Sequence, residues 1–229
     1  MKISILRITY LISCFTLFIS CHEENTVETT LTDNSGNKYD LIKIGNQTWI
    51  ASDFIGTKYS NGDPIPNLKD CSSWTNTVNG AYCYYNNDSI NTHTYGLNYN
   101  YYTVTDPRGL APEGFHVATL EDWQELIDFL GGLSVAGGKL KDVNNTSWNQ
   151  PNVGATNEAK FNIKGGGYRD RNCVFGVLKL EVGYWADTRN SIVNPAYVHL
   201  YANSEKLTID ISNPGQQGSG EHIRLIKNK

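Results

Sequence analysis

Five histidines and five cysteines are the residues of this 229-residue chain best suited to nucleophilic, acid–base or metal chemistry. A nucleophilic enzyme needs a Ser or Cys served by a His, with a third group orienting the base. None of the histidines sits in a recognisable elbow or dyad motif. His22 belongs to a polar N-terminal stretch, and His116, between Phe115 and Val117, reads as a framework histidine that satisfies its ring nitrogens locally. No His-x-His or Cys-x-x-Cys pair offers zinc-ligand spacing, so the sequence predicts no metal and no cofactor. Asn86-Asn87-Asp88, Asp142 with Asn144-Asn145, and Asp187 supply oxygens, but no spacing matches a calcium loop, and such residues ordinarily cap turns. The strongest binding signal is aromatic. Tyr82, Tyr84 and Tyr85 form a cluster in a polar stretch, and tyrosine rings can stack on the C–H faces of sugars while neighbouring Asn and Asp side chains bond to hydroxyls. These three tyrosines are the candidate ligand-binding residues.

The N-terminus assigns a compartment. MKISILR carries Lys2 and Arg7, and an apolar run follows from Ile8 to Ile19. That run is about twelve residues, short of the roughly twenty that span a hydrocarbon core, so residues 1–20 read as a cleaved export signal. Phe18-Ile19-Ser20-Cys21 resembles the lipobox cut before a lipidated cysteine. Leu11-Ile12-Ser13-Cys14 fits letter by letter, but it would leave a mature end beginning Phe15-Thr16-Leu17-Phe18. Cys21 is therefore the expected lipid attachment, with residues 21–30 a polar tether and one globular domain over 31–229. Acyl chains bind a bilayer at about 0.8 kcal/mol per buried methylene, so the membrane is an expected partner through this anchor. The expected location is the cell envelope, with the outer membrane first. His22-Glu23-Glu24 resembles a surface-export signal. Without residues 1–20 the chain carries 17 basic against 23 acidic residues, a balance that argues against nucleic acid.

Export also permits disulfides. Cys71 and Cys83 lie twelve apart in a turn-rich stretch, where a bridge would remove about 3 kcal/mol of loop entropy from the unfolded chain. The expected disulfide is Cys71–Cys83, which leaves Cys173 as a buried thiol.

The elements that would position these groups are short. Lys38 to Ile44 alternates Tyr39 and Leu41 against Ile42 and Ile44, Gly45-Asn46 supplies a two-residue turn, and Gln47 to Ala51 returns as a strand. Residues 56–94 read as a long surface insertion, and Tyr95 to Val104 has strand-like composition. Thr119 and Asp122 make a capping box ahead of Trp123, Leu126, Ile127 and Leu130 at helical spacing, and Gly131-Gly132 stops that helix. Glu121, Asp122, Glu125 and Asp128 read as its solvated face. A shorter helix is expected over Ser134–Lys141. Ala196–Ala202 and Lys206–Ile211 form a hairpin, and His222–Ile226 a last strand. Few helices with many short strands predict an α+β domain.

GLAPEGFHVATLEDW at 109–123 strongly resembles the signature of the Fibrobacter succinogenes major paralogous domain. The opening DNSGNKYDLIKIGNQTWIASDF before it, and AGGKLKDVNNTSWNQPNVGATNEAKFNIKGGGYRD, GYWADT and HIRLIK after it, occur in the family's order, so the resemblance runs from Asp33 to Lys227. Its members are mostly exported proteins and lipoproteins. The resemblance implies a C-type-lectin-like, loop-rich fold related to that of formylglycine-generating enzymes. Gly165–Arg169 and Tyr184-Trp185 are further candidates for a stacking surface, though as residues of the family blocks they read first as framework. Where the family often carries cysteines, this chain has Ala111 and Leu225, which suggests apolar packing at that contact. The oxidase branch uses a cysteine pair, and outside the expected bridge only Cys173 is left. The expectation is a non-catalytic binding or adhesion module for glycans. The competing one is an envelope structural protein that contacts surface proteins and binds no sugar.

Overall fold

A computed structural model describes residues 27–189, 194–211 and 215–229. The expected export signal, Cys21 and most of the expected tether lie outside the described residues. In chain order the strands are β1 (Val27–Thr32), β2 (Lys38–Ile44), β3 (Gln47–Ile50), β4 (Tyr82–Cys83), β5 (Asn98–Tyr99), β6 (Phe115–Val117), β7 (Tyr168–Arg169), β8 (Phe175–Gly176), β9 (Glu181–Ala186), β10 (Ala196–Tyr201), β11 (Leu207–Ile211) and β12 (Leu225–Lys227). The α-helices are α1 (Cys71–Asn76), α2 (Thr92–Tyr95), α3 (Tyr101–Val104), α4 (Leu120–Phe129) and α5 (Leu133–Leu140). The fold is α+β, with short antiparallel sheets ordered β1-β2-β3-β12-β6 and β11-β10-β9 and two two-stranded ladders, β4-β5 and β7-β8. β1 takes Thr29 and Thr30 into the sheet, so the domain begins before Leu31. Among the described residues no helix is long and apolar enough to cross a membrane.

The five-stranded sheet divides two cores, because side chains alternate across a strand. One face sends Ile42, Ile44, Trp49 and Ile226 against Trp123, Leu126 and Ile127 of α4 and Val182, Tyr184 and Val198 of the three-stranded sheet. The other sends Tyr39, Leu41, Ile50 and Leu225 against Tyr99, Tyr101, Trp185 and Ile223. Each large apolar side chain fully buried here contributes about 1.5–3 kcal/mol. Leu225 and the half-buried Ala111 share this second core, so the contact is apolar here.

Local signals fixed both helices near α4. Thr119 Oγ1 accepts from the Asp122 amide, and the Asp122 side chain accepts from the Thr119 amide. The α5 glycines, poor helix formers, admit a close neighbour. A Cβ on Gly137 would lie 2.8 Å from the Glu205 carbonyl, and one on Gly138 2.2 Å from that of Gly154. Beneath them Lys141 is fully buried and donates to the carbonyls of Val153, Tyr201 and Ser204 at 2.8, 2.9 and 2.8 Å.

Two expectations are corrected. Tyr95–Val104 is not a strand. Only Asn98–Tyr99 pairs, and Asn100 then caps α3 by accepting from the Thr103 amide. This cap overrides the strand preference of the tyrosines. The disulfide joins Cys71 to Cys173, with Cα atoms 5.5 Å apart, and Cys83 is the buried free thiol. Pairing of β4 with β5 turns Cys83 inward onto Trp74 and Ala81, while Cys71 opens α1 on the surface beside the turn that carries Cys173. Burial pushes the Cys83 thiol up to about 11, against the opposing pull of Arg169, so it is inert at neutral pH.

Candidate functional site

A cavity of about 440 Å³ opens between β2, the segment after β3, α2, and the loops carrying Asp142 and Lys164. A second cavity of about 400 Å³ shares Ile55, Thr92 and His93 with it and continues to Ser35, Asn37 and Tyr84. Together they form a polar cleft with exposed His93 as the common wall.

Asp53 forms part of the first cavity's floor, and a buried network holds it. Tyr184 Oη donates to Asp53 Oδ1 at 2.8 Å. Arg224 Nε lies 2.9 Å from the same oxygen, an ion-pair contact whose angle is poor for a hydrogen bond. Arg224 also donates to the Ile50 carbonyl at 3.0 Å, and its guanidinium lies 4.4 Å from the Phe161 ring centre and 5.5 Å from that of Tyr184. A planar guanidinium suits this sandwich, where a lysine would not. His222 lies behind, with Nε2 3.1 Å from the Gly167 carbonyl and Nδ1 3.5 Å from Asp53 Oδ2. The carbonyl fixes the proton on Nε2, and burial, despite the Asp53 charge, lowers the ring's pKa below 6.5. His222 is therefore neutral, with a bare Nδ1. Among the described residues no hydrogen bond is made to Asp53 Oδ2, and Asp53 lines the cavity. A carboxylate anchored through one oxygen presents the other as a strong acceptor. Gly96 allows this arrangement, since its φ is +77° and a Cβ there would meet that of Asp53 at 2.8 Å.

The three predicted tyrosines separate. Tyr82 is buried at 7% exposure, pairs with Tyr99 across β4–β5, and belongs to the core. Tyr85 packs edge-on against Phe175 at 5.5 Å and lines neither cavity. Tyr84 alone lines the cleft, resting edge-on against Tyr82 at 5.8 Å. Strand alternation and the tight turn after it explain why three near-consecutive tyrosines cannot share one face. The oxygen-rich stretches serve turns. The Asp142 side chain accepts from the Asn144 amide and the Ser147 hydroxyl, and that of Asp88 from the Ile90 amide. Asp187 pairs with Arg189. His116 bonds to Asp122 Oδ2 at 2.9 Å and Asn228 Oδ1 at 2.7 Å, as a framework histidine should.

Sequence reasoning missed Asp53, His222 and Arg224, and considered Tyr184 as a stacking ring where the structure makes it a donor to Asp53. A signal existed in Arg224, a charge between apolar Ile223 and Leu225. No curated protein and no solved structure matches the chain. The Fibrobacter succinogenes major domain matches residues 42–227, a span that includes all four network residues. The protein belongs to the Fibrobacter succinogenes major domain family.

Proposed function

We propose that this protein is a non-catalytic binding module of the cell envelope, held by a lipid on Cys21, that takes a hydroxyl-rich ligand of the glycan type in the cleft over Asp53. The observation that carries the reading is Asp53 itself. Its Oδ1 is fixed by Tyr184 and Arg224, while Oδ2, 3.5 Å from His222 Nδ1, makes no hydrogen bond among the described residues, and on this reading it accepts from a ligand hydroxyl in the cavity that Asp53 lines. Lys38, Thr92, Thr94, Asn162 and Lys164 line the same cavity with further donors, and Tyr84 offers a ring at the far end. Pockets of this size with a few convergent polar groups are where small ligands bind. The reading includes the C-type-lectin-like fold that the family resemblance implies, although fold alone selects no ligand. A binding role is preferred to catalysis because His222, the histidine behind Asp53, is buried, neutral and committed to a carbonyl, and lines neither cavity.

The test is a glycan array probed with the chain from residue 22 onward, with and without calcium. Binding that Asp53→Asn abolishes supports the reading. Binding to no glycan, or binding unchanged in that variant, overturns it in favour of a protein-contacting role.

A further inference from the structure

Glu221 and His222 are consecutive residues on an extended segment, so their side chains leave on opposite sides. His222 enters the network under the cleft. Glu221 enters a second buried cluster, on the three-stranded sheet. The backbone of the two residues is stitched to two elements, β5 and β9: Glu221 N donates to the Tyr99 carbonyl, His222 N to that of Gly183, and Trp185 N to that of His222.

Glu221 is 4% exposed, and its Oε2 has no hydrogen-bond partner. It lies over Gly183, where a Cβ would meet Glu221 Oε2 at 2.5 Å and His199 Nε2 at 3.0 Å. The missing side chain at 183 thus lets a carboxyl group and an imidazole edge converge. His199 Nε2 is likewise buried without a partner, and its Nδ1 is held by Glu181 Oε1 at 2.6 Å. The other titratable groups around the cluster are Tyr168 on β7, Tyr201 on β10 and Asp210 on β11. No arginine or lysine pairs with Glu221 among the described residues. An ionised carboxylate here would be a charge removed from water, with no hydrogen bond made to it among the described residues, His199 as its facing cation when protonated and Glu181 nearby, an expensive arrangement.

We propose that Glu221, His199 and Glu181 form a proton-operated latch, in which a proton on the Glu221 carboxyl fastens the Ser219–Arg224 segment, and with it the floor of the cleft, to the three-stranded sheet. Loss of that proton opens the segment. The proposal does not depend on what the cleft binds.

Burial, reinforced by Glu181 and opposed by His199, raises the Glu221 pKa from 4.5 to about 8. Burial works against a charged His199, but the Glu181 hydrogen bond and the Glu221, Glu181 and Asp210 charges outweigh it and raise its pKa above 6.5. For Glu221 the sign is that of a raised acid. The stabilising proton is fully bound below pH 4.5 in both states, and its contribution is lost as pH rises toward 8. Each pH unit in that window should raise the opening constant about tenfold.

Hydrogen exchange of the full mature chain tests this. After correction for intrinsic rates, protection of the Glu221, His222 and Trp185 amides should fall about tenfold per pH unit between about pH 5 and 8. In Glu221→Gln it should stay level between about pH 5 and 6.5, below the titration of His199. Protection that is level in both proteins, or falls equally in both, overturns the latch. Should the variant fail to fold, the Glu221 carboxyl carbon of the wild type is titrated by NMR. A midpoint near 8 supports the latch, and one near 4.5 refutes it.

Discussion

Replacing both Cys71 and Cys173 with serine should lower the unfolding free energy by about 4–5 kcal/mol. The bridge spans a sequence separation of 102 residues. The entropy withheld from an unfolded chain by a loop of about a hundred residues is worth about 4.7 kcal/mol. A Cys71–Cys83 bridge, closing only twelve residues, would contribute about 3 kcal/mol. The two pairings therefore differ in magnitude as well as in partner. Guanidinium unfolding of the oxidised wild type, the Cys71→Ser/Cys173→Ser double variant and Cys83→Ser measures the difference, because ΔG is read from the midpoint and slope. Cys83→Ser should retain the bridge and lose only about 1 kcal/mol for placing a hydroxyl against Trp74 and Ala81. Peptide mapping without reduction should recover a fragment joining 71 to 173. A 71–83 fragment, or a double variant within 1 kcal/mol of wild type, would refute the reasoning.

Other perturbations give smaller or differently signed effects. Lys141→Met strands the carbonyls of Val153, Tyr201 and Ser204 and should destabilise by about 3 kcal/mol, since each buried unpaired group costs about 1–3 kcal/mol. An unchanged denaturation midpoint would contradict this. Thr119→Ala removes the capping box of α4 and should cost about 1 kcal/mol by the same assay. The hydrogen bond to Asp122 raises the His116 pKa above 6.5, so its stabilisation is complete below pH 6.5 and lost as pH rises through the folded value. Wild type should thus lose more stability than His116→Gln across that interval, and parallel pH profiles would count against the pairing.

What the sequence made legible was local. α4 announced itself through a cap, a period and a glycine stop. The β2–β3 hairpin did so through alternation around Gly45-Asn46, and the two faces of Tyr39/Leu41 and Ile42/Ile44 became the two cores. Contacts assembled across the chain were not legible. Cys173 reaches Cys71 only because α1 and the turn after β7 meet on one surface, and no spacing rule encodes that. Asp53, Tyr184 and Arg224 come from three separated blocks, and their roles depend on Arg224 being sandwiched between rings. Composition alone grouped the tyrosines at 82, 84 and 85, and pleating then sent Tyr82 into the core and left Tyr84 on the cleft.

The account rests most heavily on the cleft. Its most direct test is a calorimetric titration of the best array glycan into wild type, Asp53→Asn, His93→Ala and Tyr84→Ala, with circular dichroism confirming the fold of each. A charge-assisted hydrogen bond is worth about 1.5–3 kcal/mol, so Asp53→Asn should weaken binding roughly 10- to 100-fold. His93→Ala and Tyr84→Ala, on the shared wall and at the far end, should weaken it by smaller factors. Wild-type affinity in all three folded variants would contradict the assignment of this cleft as the binding site.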